Sequence, residues 1–227
     1  MADTEGYTGD VVVGGPPDTR VLDTVTVRKI AVGPMANNAY LLTCRSTGAQ
    51  LLVDPAAEPD RLLGLIREGS GPARLDQIVV THRHRDHTGA LVALVGATGA
   101  PVAAGAADAD AISTDTDVFV TRRLHDGDEI ALGDVRLDVV GLRGHTPGSV
   151  ALALTGRRVH LFTGDSLFPG GPGRTGTPAD FASLMDDLIE RVFDRYADDT
   201  WVYPGHGADT TLGRERGHLG EWRARGW

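Results

Sequence analysis

The stretch Val79-Val80-Thr81-His82-Arg83-His84-Arg85-Asp86-His87-Thr88-Gly89 decides how the chain is read, because it places four potential metal ligands within six residues. The stretch Leu75 to Val80 ahead of it, ending in Ile78-Val79-Val80, predicts a buried strand, and Thr88-Gly89-Ala90-Leu91 behind it opens a helical pattern, so the ligands fall on a strand-to-helix turn. In extended chain His82 and His84 point the same way, whereas Asp86 and His87 lie past the bend and can aim at a second point. That spacing suits two metal ions.

Three other places put a ligand type at the C-terminal end of a predicted strand, in a glycine-containing turn: Gly144-His145-Thr146-Pro147-Gly148, Thr163-Gly164-Asp165-Ser166 and Pro204-Gly205-His206-Gly207. Singly, each such turn is more often ordinary than metal-binding. Strand ends gathered on one sheet edge can converge, however, and the combined set is five His and two Asp. That fills two open coordination shells with one carboxylate shared. Neutral imidazoles with carboxylates suit Zn(II), with iron or manganese as alternatives. His125, His160 and His218 lack the strand-end context and are left outside the set.

The rest of the composition narrows the partner. The formal net charge of -9 and pI near 5.3 argue against a nucleic-acid backbone or an anionic membrane, since both demand a positive footprint. A small-molecule substrate is expected, and the oligomeric state stays open. One cysteine, Cys44, excludes an intramolecular disulfide framework and a cysteine-rich zinc site. The acidic start Met1 to Asp10 has no secretory pattern and no window reaches 18 apolar residues, so a cytoplasmic location is the default expectation.

Strands are expected at Val11–Val13, Val21–Val32, 39–44 and 50–54, a helix from Pro59, and a helix from Leu91 to about Gly99. Further strands are expected at 101–104, Val118–Val120, 129–132, 135–142, 150–154, 158–163 and 200–203, with a helical stretch at 105–112. Thr177-Pro178-Ala179-Asp180 reads as a helix start, followed by an apolar stripe from Phe181 to Tyr196. The tail carrying Trp222 and Trp227 is expected to pack as a C-terminal segment.

The ordered set Thr81-His82-x-His84-x-Asp86-His87, His145, Asp165 and His206 resembles the metallo-β-lactamase superfamily, and within it most resembles glyoxalase II and its shorter bacterial relatives. The likeness runs from about Asp54 to His206 and includes Val-Asp-Pro, Gly-His-Thr-Pro-Gly-Ser, Thr-Gly-Asp-Ser-Leu-Phe and Pro-Gly-His-Gly. It implies an α/β fold of αββα type, two mixed β-sheets with helices on both outer faces, and one domain over residues 1–227 without the helical C-terminal domain of glyoxalase II. It implies that His82, His84 and His145 hold one metal, that Asp86, His87 and His206 hold the other, and that Asp165 bridges them. Asp54 matches an aspartate that braces the histidine turn, and Asp86 would orient the attacking hydroxide. The activity implied is hydrolysis of a small thioester or related ester by two Zn(II). A lactone hydrolase of the same superfamily and a persulfide dioxygenase with a single Fe(II) are the alternatives, with a non-catalytic metal scaffold third. Arg174 matches a basic residue of the glutathione site, but Gly176 stands where that site has a tyrosine. Two roles stay open for Arg174: binding a substrate carboxylate, or decorating a loop.

Overall fold

The computed structural model describes residues 6–70 and 74–226. Strands β1 (Asp18–Val21), β2 (Val25–Val32), β3 (Asn37–Cys44) and β4 (Gln50–Val53) are followed by helix α1 (Pro59–Ser70), β5 (Gln77–Val80), α2 (Leu91–Thr98), β6 (Val102–Gly105), α3 (Ala109–Thr116) and β7 (Arg122–Leu124). These seven strands form one sheet in sequence order, antiparallel from β1 to β4 and parallel from β4 to β7. Then come β8 (Glu129–Leu132), β9 (Val135–Gly141), β10 (Val150–Leu154), β11 (His160–Gly164), a small hairpin of β12 (Leu167–Phe168) and β13 (Gly171–Pro172), and α4 (Pro178–Leu188). The chain ends in β14 (Trp201–Pro204), β15 (Thr210–Thr211), α5 (Leu212–Glu215) and α6 (Leu219–Arg225). The second sheet has the order β15-β14-β11-β10-β9-β8, with β11 and β14 parallel and the rest antiparallel.

Period-two alternation along the strands sorts side chains into three apolar layers. Leu41, Leu52, Ile78 and Val80 face outward beneath Leu62, Ile66, Leu91, Leu94 and Ile112. Their neighbours Leu42, Leu51, Val53 and Val79 face inward and meet Val139, Leu152, Phe162 and Tyr203 of the second sheet. Val140, Ala151, Leu161 and Val202 face outward again, covered by Phe181, Leu184, Leu188, Val192 and Trp222. At about 1.5–3 kcal/mol for each fully buried large aliphatic or aromatic side chain, these layers hold the αββα sandwich without help from a metal. Cys44 is buried in the middle layer.

Helix signals read from sequence mark real boundaries. The Thr177 side chain accepts from Asp180 N at 3.1 Å with Pro178 in the first turn, and Gly99 closes α2 in the left-handed conformation. Three strand expectations are corrected. Val11–Val13 is no strand: Gly15 N donates to Val12 O, making a turn that leaves Val12 exposed. Val21–Val32 is broken by the Leu22-to-Val25 turn into the hairpin of β1 and β2. Val118 and Val120 are buried on either side of exposed Phe119, yet Val120 N is taken by Ser113 Oγ and sheet pairing begins only at Arg122. Alternation there reports burial on one side of the chain, not a ladder. Trp222 packs in the outer layer as expected, and Trp227 lies outside the described residues. Among the described residues no helix is long and apolar enough to cross a membrane.

Candidate metal centre

Every ligand candidate sits just past the C-terminal end of a strand: His82 to His87 after β5, His145 after β9, Asp165 after β11 and His206 after β14. The tight turn Arg85–His87 swings Asp86 and His87 away from His82 and His84. Two groups result. His82, His84 and His145 bring ligand atoms within 4.8 Å of one another, and so do Asp86, His87 and His206. Asp165 stands beside both, its Oδ2 3.7 Å from His145 Nε2 and 3.5 Å from His206 Nε2, and its Oδ1 3.4 Å from His87 Nε2.

The hydrogen bonds of the imidazoles explain which nitrogen faces inward. Nδ1 of His145 donates to the Arg174 carbonyl at 2.7 Å, and Nδ1 of His206 donates to the Met35 carbonyl at 3.1 Å. His87 Nδ1 donates to Asp54 Oδ2 at 3.0 Å. Thr81 Oγ1 donates to Asp54 at 2.7 Å, which leaves its lone pair to accept from His82 Nδ1 at 3.0 Å. Partners at Nδ1 fix ring orientation and tautomer and leave Nε2 for a ligand. Although Asp54 lies near His82 and His87, both its oxygens accept hydrogen bonds, from Thr81 N, Thr81 Oγ1 and His87, so it braces the turn. It does so from a left-handed backbone, φ 54°, which an aspartate adopts only where its surroundings hold it there.

Electrostatics separate the two groups. Burial pulls His82 well below 6.5, aided by the charge of His87, and burial lowers His84 too. Burial also opposes the charged form of His87, but the Asp54 charge, the hydrogen bond to Asp54 and the nearby Asp165 carboxylate outweigh it and raise the imidazolium to about 10. His206 is raised against burial by Asp165. Burial likewise works against ionising Asp165, yet His206 and His87 hold it far below the usual carboxylate range. Asp86 is lowered against burial, chiefly by the Asn37 amide.

The donor set fits metal ions. Buried His82 Nε2, His145 Nε2 and Asp165 Oδ1 have no hydrogen-bond partner among the described residues, a costly state for clustered polar atoms unless something binds them. In the second group the ligand atoms are 3.3 Å (His87 to His206), 3.5 Å (His87 to Asp86) and 3.4 Å (His206 to Asp86) apart. A tetrahedral ion with bonds of about 2.1 Å has edges of about 3.4 Å. Glycine makes the approach of Asp165 feasible, since a Cβ on Gly205 would stand 2.1 Å from Asp165 Oδ1.

All seven sequence-predicted ligand positions and Asp54 are thus brought together, and His125, His160 and His218 are not. Arg174 lies on the rim, exposed, and its side chain makes no hydrogen bond or ion pair among the described residues; only its carbonyl serves the site. Two residues escaped sequence reasoning. Buried Asp108 accepts from Arg83 N, Thr146 Oγ1 and Gly148 N at 3.0, 2.5 and 3.0 Å, tying the His84 loop to the His145 loop. Its one signal is an acid within an Ala-rich stretch. Asn37 donates to Asp86 Oδ2 at 2.8 Å from the start of β3, and nothing in the local sequence marks it.

Comparison with known proteins places this geometry. The family model of the metallo-beta-lactamase superfamily matches residues 32–206. A hydroxyacylglutathione hydrolase of Polaromonas is 34% identical over 171 residues, covering 75% of this chain and 62% of that protein, so the chain spans about three-fifths of that relative. The solved structure of ETHE1 from Myxococcus xanthus is 28% identical with a TM-score of 0.72, covering 87% of this chain and 84% of that one. TTHA1623, solved in a di-iron-bound form, is 32% identical with a TM-score of 0.64, covering 83% and 96%. With the match running from the end of β2 to the last strand-end histidine, over more than half of the chain, the chain belongs to the metallo-β-lactamase superfamily.

Proposed function

We propose that the chain is a dinuclear metal-dependent hydrolase of a small thioester or related ester. The observation that carries this reading is Asp165, a carboxylate with one oxygen near His87 and the other near His145 and His206, standing between two complete ligand groups. His82, His84 and His145 would hold one ion, Asp86, His87 and His206 the other, with Asp165 shared; zinc is the first choice and iron or manganese fit the same donors. Such ions supply a hydroxide at neutral pH and polarise the substrate carbonyl.

The chain's own residues then position and bind. Asp86, partly open to solvent beside both histidines of its group, orients the nucleophile. Asp54 keeps His87 turned inward. No serine or cysteine nucleophile is called for, and Cys44 lies buried between the sheets. Arg174, whose guanidinium has no partner among the described residues, is placed on the rim to meet an acidic group on the substrate.

The test is a panel of thioesters assayed with the parent and Asp165→Ala. Expected is cleavage by the parent, a loss of at least 100-fold in kcat/KM for the variant with most of its metal gone, and a cooperative melt in both. A variant with two ions per chain and near-normal turnover would defeat the assignment. A parent that consumes oxygen on a persulfide and ignores every thioester would replace it with the mononuclear iron reading.

A further inference from the structure

Asn37 opens β3 at the point where the two sheets meet over the site. Its backbone bridges His206, and Asn38 N donates to Gly205 O at 2.7 Å, so the start of β3 is fixed against the turn that carries His206. The side chain is buried, 1% exposed. Its neighbour shows what a purely structural amide does here: Asn38 Nδ2 donates to the carbonyls of Pro204 and Gly207 at 2.9 and 3.0 Å. Asn37 Nδ2 instead approaches only ligand atoms. It donates to Asp86 Oδ2 at 2.8 Å and stands 3.3 Å from Nε2 of both His87 and His206.

Asp86 sits on a single tight turn with a quarter of its side chain exposed, and its Oδ2 is the oxygen that faces both histidines. A carboxylate there has rotamer freedom to lose before it can serve a metal. The Asn37 amide removes that freedom in advance, from a strand that is itself locked.

Resting on the two-ion reading above, we propose that Asn37 is a positioning residue for the second ion: it presents Asp86 Oδ2 to the Asp86–His87–His206 group and so sets the affinity of that group relative to the first. Outer partners of metal ligands typically change affinity by about 10–100-fold when removed.

The experiment titrates metal-free parent, Asn37→Ala and Asn37→Leu with Zn(II) against a competing chelator and reads two successive affinities. Leucine keeps the branched four-heavy-atom outline of asparagine, is bulkier, and removes the donor. Expected is a first ion bound within about threefold of the parent in both variants and a second bound about 10–100-fold more weakly in both. The first affinity reports folding, because His82, His84 and His145 do not touch Asn37. An unchanged or tighter second affinity overturns the proposal. So does an equal loss at both steps, or a loss in Asn37→Ala that Asn37→Leu restores, since either makes Asn37 a packing residue. A parent that takes up a single ion overturns the two-ion reading itself, and this inference with it.

Discussion

Asp54 and Asp165 are both buried carboxylates, and their partners separate their tasks. Both oxygens of Asp54 accept from donors, so it orients; Asp165 keeps an oxygen without a hydrogen bond, so it can ligate. The histidines divide in the same way, and the division has a pH signature. In metal-free protein the values of His82 and His84 are lowered, whereas His87, raised to about 10, carries a proton through the neutral range and His206 is shifted in the same upward direction. Metal needs bare Nε2, so loading the second group must expel protons. Its affinity is expected to rise with pH up to about 10, where His87 gives up its proton, as proton release in buffers of different ionisation enthalpy would show. The stability consequence has a definite sign. A raised imidazolium stabilises the metal-free fold fully below its unfolded value near 6.5 and loses that contribution as pH climbs through about 10. Metal-free protein should therefore lose melting temperature from pH 7 to 10 faster than the loaded protein. Parallel curves would contradict the assignment of a proton to His87.

At the scale of elements, turns after β5, β9, β11 and β14 carry the ligands, and residues distant in sequence hold those turns. Lys29 on β2, the chain's one lysine, is fully buried and donates at 2.7 Å to Gly207 O, to Gly9 O and to Asp209 Oδ1. Asp209 in turn accepts from Tyr7 Oη and Trp201 Nε1. Removing one partner of a buried pair leaves the other uncompensated, so Lys29→Met is expected to cost about 3–5 kcal/mol. Urea unfolding of metal-free protein measures it, and a loss under about 1 kcal/mol would mean that Tyr7 and Trp201 suffice to hold Asp209. The loop after β13 makes a different prediction. The Arg174 carbonyl orients His145, and that contact survives Arg174→Ala, which isolates the guanidinium. KM for acidic thioesters should rise about tenfold or more with kcat kept, and neutral thioesters should be unaffected. Equal loss on both would make Arg174 a loop residue. Arg143, two residues before His145, is already clasped by Asp187 at 2.9 and 2.7 Å.

Over the whole molecule, most elements were legible because their signals are local: period-two apolar strands, a capped helix at Thr177, glycine turns with a histidine or aspartate at strand ends; the αββα arrangement of those elements followed only from the family resemblance. The convergence of His82, Asp86, His145, Asp165 and His206 could be anticipated for the same reason. Asp108, Asn37 and Lys29 could not, since their partners lie on other elements and their neighbours in sequence are unremarkable. The Val118–Val120 stretch misled because burial imposes alternation with or without a pairing strand. Three apolar layers hold the sandwich together independently of the site, so removing metal should lower the melting temperature without abolishing a cooperative transition. Two ions at this edge and a hydrolytic reaction are the proposal on which the rest depends. The direct measurement is metal content of protein purified without added metal, taken together with oxygen uptake during turnover. Two divalent ions per chain, thioester cleavage and no oxygen consumed are predicted; one iron per chain with oxygen consumed would contradict it.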